Sequence, residues 1–490
     1  MSQGPNPFEL LQQLFNRRFG FAAEDVQPLQ GQLGGSGRVI VRLAGRGVTA
    51  VGVLHSVREE NRAFVEFSKH FRRHGLPVPE IYIEDLARNA YLEEDLGDTT
   101  LFEFLNANRS GDSIAPSAVE AYRKTIAVLP RFQVEGGRDL NYKVCYPRDS
   151  FDRQSIAWDL NYFKYYFLRL AGVPFNEQAL EDDFGRLTRF LLTAPHDFFL
   201  YRDFQSRNVM VRGGCSGESG KSEPWFVDYQ GGRKGALQYD IASLLFDGKA
   251  NLPPELREQL LNHYLDCLAA HIAVDRAAFL EHYYAFVYVR ILQALGAYGF
   301  RGFYERKTHF LESVPYALKN LRWLAANVKL PVALPTLLEG LDRIATSEKL
   351  AAAAPAAHPL TVRIFSFSYH REMPADVSGH GGGFVFDARS LPNPGREERF
   401  RAFSGKDQIV IDYLAAEDRV RQYLEHVFAL VEMSVADYQR RGFDHLMVSF
   451  GCTGGQHRSV YLAEQLAQHL RGRAGVNVEV RHIEQEKIGR

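Results

Sequence analysis

The chain has 490 residues, 46% hydrophobic and 24% charged, which makes a globular protein with room for two or three domains, and its formal charge of −1 exerts no global pull toward nucleic acid or an acidic membrane. Its start, Met1-Ser2-Gln3-Gly4-Pro5-Asn6-Pro7, lacks a basic and apolar leader, and no apolar run approaches about 18 residues, so a cytoplasmic location without a membrane partner is expected. Cys145, Cys215, Cys267 and Cys452 lie far apart with no C-x-x-C pair, so neither a zinc site nor a disulfide framework is expected.

In chain order, Phe8, Leu11, Leu14, Phe15 and Phe19 recur at helical spacing and predict an amphipathic helix over 8–19. Leu33-Gly34-Gly35-Ser36-Gly37-Arg38 leads into an alternating strand at 39–43, and 49–54 forms a second strand. A glycine-rich turn between strands admits nucleotide phosphates to backbone amides with no Cβ in the way. Gly34, Gly35, Ser36, Gly37 and Arg38 are therefore candidate nucleotide-binding residues, although such turns are also common without a ligand. A helix follows over 59–74, with Glu59, Glu60 and Glu66 expected on a solvated face. After Pro77-Val78-Pro79 a strand pair leads to Tyr91-Leu92-Glu93-Glu94-Asp95-Leu96-Gly97-Asp98. From about Thr99 to Ala345 the pattern is helical apart from one hairpin. Within it the helix at 156–168 interleaves aromatics with Asp159, Asn161 and Lys164, a set that can stack on and hydrogen-bond a sugar or pack as a core helix. Tyr288, Arg290, Gln293, Tyr298 and Arg301 lie on a later helix that can close the same pocket.

The hairpin carries the chemistry. Tyr201-Arg202-Asp203-Phe204-Gln205-Ser206-Arg207-Asn208 leads into the short strand Val209-Met210-Val211-Arg212, and Trp225-Phe226-Val227-Asp228-Tyr229 reads as its partner across the Gly/Ser-rich segment 213–222. Pairing of these strands returns Asp228 to Asn208. An aspartate, four residues and an asparagine, followed by a second aspartate, is how a protein-kinase-like site is built. The first aspartate accepts the proton of the attacking hydroxyl, and the other two residues hold magnesium on the nucleotide phosphates. Asp203 is the expected base, Asn208 and Asp228 the expected metal ligands, and ATP with Mg2+ the expected cofactors.

The segments Y-R-D-F-Q-S-R-N, V-D-Y-Q-G-G and Q-Y-D-I-A-S-L-L resemble the aminoglycoside phosphotransferase and choline kinase superfamily. Within it they are most similar to the anomeric kinases of N-acetylmuramate and N-acetylglucosamine. The resemblance implies an α+β, protein-kinase-like bilobal fold, with a nucleotide lobe over 1–95 and a helical lobe over 96–347. It makes 93–95 the hinge, where backbone groups of Glu93, Glu94 and Asp95 meet adenine, and it leaves Arg202, Gln205, Arg207, Gln230 and Asp159 as candidate contacts to the sugar. Asp240 is expected to tie the catalytic loop in place. That family usually has His where Tyr201 stands. The lysine that an ordinary kinase carries on its third strand is absent from Ala50-Val51-Gly52-Val53-Leu54, as it tends to be in the anomeric kinases, and Arg38, Arg42 or Arg58 would supply the charge.

Residues 348–359, rich in alanine, are the expected linker, and 360–490 a separate α/β domain. Strands are predicted at 360–367 and after Gly381-Gly382-Gly383, and a long amphipathic helix at 416–441. His445-Leu446-Met447-Val448-Ser449-Phe450 is a strand, Gly451-Cys452-Thr453-Gly454-Gly455-Gln456-His457-Arg458-Ser459 a glycine-rich loop, and 460–470 a helix. Strand, loop and helix N-terminus converge unpaired amides on one point and predict a phosphate-binding cradle, to which Arg458 adds a bidentate contact. Cys452 and Arg458 have the C-x5-R spacing of cysteine phosphatases, one reading of the cradle. The other rests on G-C-T-G-G-Q-H-R-S-V with F-V-F-D-A-R-S-L-P-N-P upstream, which resembles the C-terminal domain of the RNase adapter protein RapZ over about 361–482. That resemblance implies an amino-sugar phosphate, and RNA, as ligands, with Cys452, Thr453, Gly454, Gly455, Gln456, His457, Arg458 and Ser459 around the sugar phosphate. The near-neutral charge and the absence of that family's N-terminal nucleotide domain argue against an RNA adapter. The expected function is an ATP- and Mg-dependent amino-sugar 1-kinase of cell-wall recycling whose C-terminal domain senses or processes a sugar phosphate. The alternatives are a nucleotide- and sugar-phosphate-sensing regulator, an RNA adapter, and a kinase fused to a phosphatase.

Overall fold

In the computed structural model, which describes residues 7–29, 37–111, 113–213, 222–351, 360–376, 382–441 and 443–488, helix α1 (Pro7–Phe19) buries Leu10, Leu11, Leu14 and Phe15. These side chains pack with Val41, Leu43, Ala50, Ala90 and Leu92 of an antiparallel sheet. Its strands are β1 (Asp25–Pro28), β2 (Val39–Gly45), β3 (Val48–Leu54), β4 (Ile81–Asp85) and β5 (Ala90–Glu94), in the order β1-β2-β3-β5-β4. The β2–β3 connection is two residues, Arg46 and Gly47, at φ of 49° and 77°. Positive φ at both positions gives the turn whose twist matches that of the flanking strands. Side chains alternate across a strand, so Tyr91 faces away from Ala90 and Leu92. It stacks there on Phe64 of helix α2 (Arg58–Arg73), with ring centroids 5.3 Å apart.

Beyond β5 the chain is mainly helical. The helix Arg276–Gly299 is apolar almost all round, as a central core helix must be, and packs against Arg153–Phe163 and Gln238–Leu245. The predicted helix at 156–168 is Arg153–Phe163 continued by a π-helical turn, Lys164–Leu168. Besides the two-residue pair Arg109–Ser110 with Ser113–Ile114, two short antiparallel pairs interrupt the helices. One, Val209–Arg212 with Glu223–Phe226, is the expected hairpin; the other, Phe198–Leu200 with Arg233–Gly235, is too short to show periodicity in the sequence.

The chain divides into two compact units, Met1–Arg306 with Ser313–Ala351 and Lys307–Glu312 with Ala352–Arg490. The second unit has a four-stranded parallel sheet in the order Gly383–Asp387, His445–Cys452, Leu360–Ser368, Val476–His482. His445–Cys452 is buried along nearly its whole length, the signature of a parallel strand covered on both faces. Val476–His482, at the sheet edge, is a strand that the sequence reading did not assign. The long amphipathic helix is Asp418–Arg441, preceded by a shorter one, Gln408–Ala415. Among the described residues no helix is long and apolar enough to cross a membrane.

Candidate active site

The stretch Tyr201–Asn208 runs between Phe198–Leu200 and Val209–Arg212, and a layer of rings beneath it sets its path. Phe132, Phe199, Tyr201, Phe204, Phe226 and Tyr229 are all fully buried, and Phe132, Tyr201 and Tyr229 meet their neighbours edge to face. Such pairs add about 0.5–1.5 kcal/mol each beyond area burial. Gly232 is required by this layer: a Cβ there would lie 2.4 Å from the Phe199 ring.

Asp240 anchors the stretch from below. Its carboxylate accepts from the backbone N–H of Tyr201 at 2.9 Å and of Arg202 at 3.1 Å, and from Gln133 Nε2 at 3.2 Å. Burial pushes its carboxyl up to about 7 against these donors. The Tyr201 hydroxyl donates to the Val227 carbonyl, joining the two halves of the hairpin.

Above this floor the three predicted acid and amide groups come together. Asn208 Nδ2 donates to the Asp203 carbonyl at 2.8 Å and to Asp228 Oδ2 at 3.1 Å. The Asp203 carbonyl also accepts from Gln205 N at 2.9 Å, and the Gln205 carbonyl from Asn208 N at 2.9 Å, so Gln205 contributes through its backbone. Asp228 stands at φ 67°, in the left-handed region where a non-glycine residue is held only by its surroundings. Gln230 Nε2 donates to its Oδ1 at 2.6 Å and Arg38 at 3.0 Å. Burial, and then the neighbouring Asp203, push the Asp228 carboxyl up. With Nδ2 engaged, Oδ1 is the atom that Asn208 can offer a cation, and together with the Asp228 carboxylate it makes a hard oxygen donor set that fits magnesium. A divalent cation would also offset the crowding of the two carboxylates.

Of the three arginines expected to supply the missing lysine's charge, Arg38 is the one that contacts Asp228. Its guanidinium bridges Asp228 and Glu60 Oε2 at 2.7 Å, so Glu60 leaves the solvated face expected for it, whereas Glu59 and Glu66 are exposed. Arg42 is taken up elsewhere, in a two-pronged contact to Asp95 at 2.8 and 2.9 Å, and Arg58 is exposed. Helix α2 is held at this distance by Phe64, stacked 4.9 Å from Tyr229, and by Ser68 Oγ, 2.6 Å from the Tyr229 hydroxyl. Gly37 and Arg38 are described at the start of β2; Gly34, Gly35 and Ser36 lie outside the described residues.

At 93–95, the expected hinge, Glu94 pairs with Arg212 at 2.8 Å and Asp95 with Arg42, so their side chains brace the connection, and the Glu94 backbone N–H donates to the Glu80 carbonyl at 2.8 Å. Glu93 differs. Its Oε2 is buried without a hydrogen-bond partner, and burial pushes the carboxyl up to about 8. A carboxyl raised in the fold keeps a proton that the unfolded chain has lost, so it contributes stability at low pH that is lost as pH rises from about 4.5 to about 8. Glu93→Gln is therefore expected to gain on the wild type across that window, by up to about 5 kcal/mol above pH 8, in urea unfolding at several pH values. A pH-independent difference would contradict it.

The proposed sugar contacts are partly engaged with each other. Arg202 meets Asp159 in a two-pronged ion pair at 2.6 and 2.7 Å and also donates to the Tyr239 hydroxyl, which accepts from Arg290 at 3.1 Å. Arg207 lies over the Phe102 ring at 5.0 Å. Lys164 is bound by Glu177 and Glu181, and Trp158 and Tyr165 are exposed on the same helical segment.

In the second unit the loop after His445–Cys452 has Thr453 and Gly454 exposed at its tip. Gly455 is at φ 68°, where a Cβ would lie 2.5 Å from Glu484 Cγ. Cys452 is buried, its Sγ 3.1 Å from Ser459 Oγ and accepting from Gly455 N at 3.2 Å. Arg458, also buried, donates to the carbonyls of Arg389 and Leu391 at 3.0 Å and to Thr453 Oγ1 at 3.3 Å, and burial holds its pKa below the usual arginine value. Gln456 donates to the carbonyls of Arg401 and Phe403, and His457 Nε2 lies 2.9 Å from that of Phe400. Side chains from the loop thus pin 389–403 over it, a contact invisible to local spacing.

The family model described as "Phosphotransferase enzyme family" matches residues 32–280, and that described as "RapZ C-terminal domain" matches residues 360–486. A nucleotide-binding protein of a Ruegeria species is 42% identical over 131 residues, 27% of this chain and 42% of that protein. One of Ralstonia nicotianae is 41% identical over 127 residues, 26% of this chain and 40% of that protein. The chain thus spans about two fifths of the length of these relatives. Among solved structures, choline kinase LicA from Streptococcus pneumoniae is similar at 13% identity and a TM-score of 0.42, covering 65% of this chain and 99% of that one. A thermostable mutant of aminoglycoside phosphotransferase APH(4)-Ia is similar at 14% identity and a TM-score of 0.40, covering 68% and 98%.

Proposed function

Because the chain belongs to the phosphotransferase enzyme family, we propose that its first unit transfers phosphate from ATP to the anomeric hydroxyl of an amino sugar of the N-acetylglucosamine or N-acetylmuramate class. The observation that carries the reading is the Asn208 side chain, which joins Asp203 to Asp228. Asp203 accepts the proton of the sugar hydroxyl as its oxygen bonds to the γ-phosphorus and the bond to the β-phosphate oxygen breaks. Asn208 and Asp228 would hold magnesium, which neutralises charge on the phosphates. Arg38, held by Glu60, supplies the cation that a third-strand lysine supplies in other kinases. The second unit, matched by the RapZ C-terminal model, binds a sugar phosphate at Thr453, Gly454 and the N-terminus of Arg458–Leu470, as a sensor of the product or as a second active site.

The test is phosphate transfer from ATP to a panel of sugars, amino sugars, aminoglycosides and choline, with the phosphorylated position read by phosphorus-coupled NMR. A sugar 1-phosphate supports the reading. Transfer only to choline or an aminoglycoside would move the substrate class and leave the machinery standing; no transfer at all would favour a nucleotide sensor. Arg38→Ala is expected to lower kcat/KM for ATP about 10- to 100-fold, the worth of one charge-assisted contact, with Arg38→Lys intermediate. Nucleotide saturation curves check this, and an unchanged curve for Arg38→Ala would remove Arg38 from the phosphates.

A further inference from the structure

Helix α2 ends in a cluster that the phosphotransferase reading does not use. His70 and His74, one helical turn apart, and Asp139, in the turn that follows the π-helical segment Arg131–Gly136, each offer one ligand atom, and these three atoms lie within 4.8 Å of one another. It is the one group of three or more such side chains with this closeness among the described residues. His74 Nε2 is 3.0 Å and His70 Nε2 3.7 Å from Asp139 Oδ1, and the two rings are 4.6 Å apart at their centroids. Two ligands bound at about 2.0–2.1 Å around a tetrahedral ion stand roughly 3.3 Å apart, so both observed separations bracket what such an ion requires.

We propose that His70, His74 and Asp139 form a site for one divalent transition-metal ion of the zinc class, distinct from the magnesium site at Asp228. The donor chemistry points to that class: two imidazoles with one carboxylate suit zinc, cobalt or nickel, whereas magnesium and calcium take oxygen donors. Spacing supports it, since histidines at i and i+4 share one helix face. Burial adds direction, because His70 is sequestered while Asp139 is 66% exposed, which leaves the outer side open to a water as fourth ligand. His70 Nε2 donates to the Gly136 carbonyl at 2.7 Å, and ligation through Nε2 replaces that bond and moves the ring proton to Nδ1. The cysteine spacing that spoke against zinc concerns thiolate centres and leaves this one untouched.

The consequence is mechanical. Helix α2 carries Glu60 at its start and His70 in its last turn, with His74 capping it, so an ion shared with Asp139 ties the helix that holds Arg38 to the segment beyond Gly136.

Equilibrium dialysis of the full-length chain against zinc, with excess magnesium present, tests the proposal together with the visible spectrum of the cobalt-loaded protein. One equivalent per chain is expected, with the bands of tetrahedral cobalt and a rise in unfolding midpoint. His74→Ala and Asp139→Asn change half-exposed and exposed positions, and each is expected to weaken binding at least tenfold and abolish the midpoint rise. Binding unaltered in both variants, or none in the wild type, would overturn the site. Neither readout depends on kinase activity, so failure here and failure of the phosphotransferase assignment are separable.

Discussion

Asp203→Asn is expected to lower turnover by about 10²–10⁴-fold, the usual contribution of a positioned general base, with little change in the unfolding midpoint. The asymmetry follows from which atoms of Asp203 hold the loop. Its backbone carbonyl accepts from Asn208 Nδ2 and Gln205 N, and both bonds survive the substitution. Only the carboxylate is changed, and an amide oxygen of the same shape cannot take a proton from a hydroxyl. A second readout comes from Asp228, whose carboxyl is pushed up by burial first and by Asp203 next. Removing the Asp203 charge lets the Asp228 carboxyl ionise more readily but also takes away a negative charge that attracts a cation, so magnesium is expected still to bind the variant, more weakly than the wild type. Retained turnover with the loop intact would sink the assignment; loss of both turnover and metal binding would indicate a collapsed loop instead of a missing base.

Much of this site is readable in the chain because its parts are local. Asp203 and Asn208 are fixed by five positions of spacing, Asp228 by a strand that pairs back on its neighbour, and Asp240 was expected to tether the loop that it does tether. What escaped the reading lies at long separation. Arg38 and Asp228 are 190 residues apart, and Glu60, which completes their triad, looks in sequence like any glutamate on an amphipathic helix. Arg202 and Asp159 are 43 residues apart, each with the polarity of a sugar contact, and nothing in either segment says that they find each other. The His70, His74 and Asp139 cluster has the same origin: the histidine pair is visible in the sequence, but the carboxylate arrives from a separate segment. The separate α/β domain was legible because hydrophobic periodicity changes abruptly after the alanine-rich stretch, and the kinase-like architecture through the resemblance carried by three short segments; the short pair Phe198–Leu200 and Arg233–Gly235 was not, because three residues carry no period.

The largest stability effect is expected at Arg202. Its guanidinium and the Asp159 carboxylate are 15% and 8% exposed and are paired through both nitrogens, with Phe151 and Tyr239 rings 5.2 and 5.3 Å from the guanidinium carbon. Arg202→Ala leaves a buried carboxylate without its partner, a change worth about 3–5 kcal/mol, a large share of the roughly 5–15 kcal/mol that holds a domain folded. Replacing both members together, Arg202→Met with Asp159→Leu, removes the charge and its need at once and is expected to recover most of the loss. Arg202 also sits at φ 81°, so Arg202→Gly should cost less than Arg202→Ala by roughly 1 kcal/mol of backbone strain released. Denaturant unfolding of the three variants decides the matter, read beside their sugar KM values. If the pair is structural, the single substitutions lower the unfolding midpoint and the double one restores it. If Arg202 and Asp159 instead grip the sugar, the midpoints stay near wild type while the sugar KM rises in every variant, and the pair in the unliganded fold is then the resting state of a substrate contact.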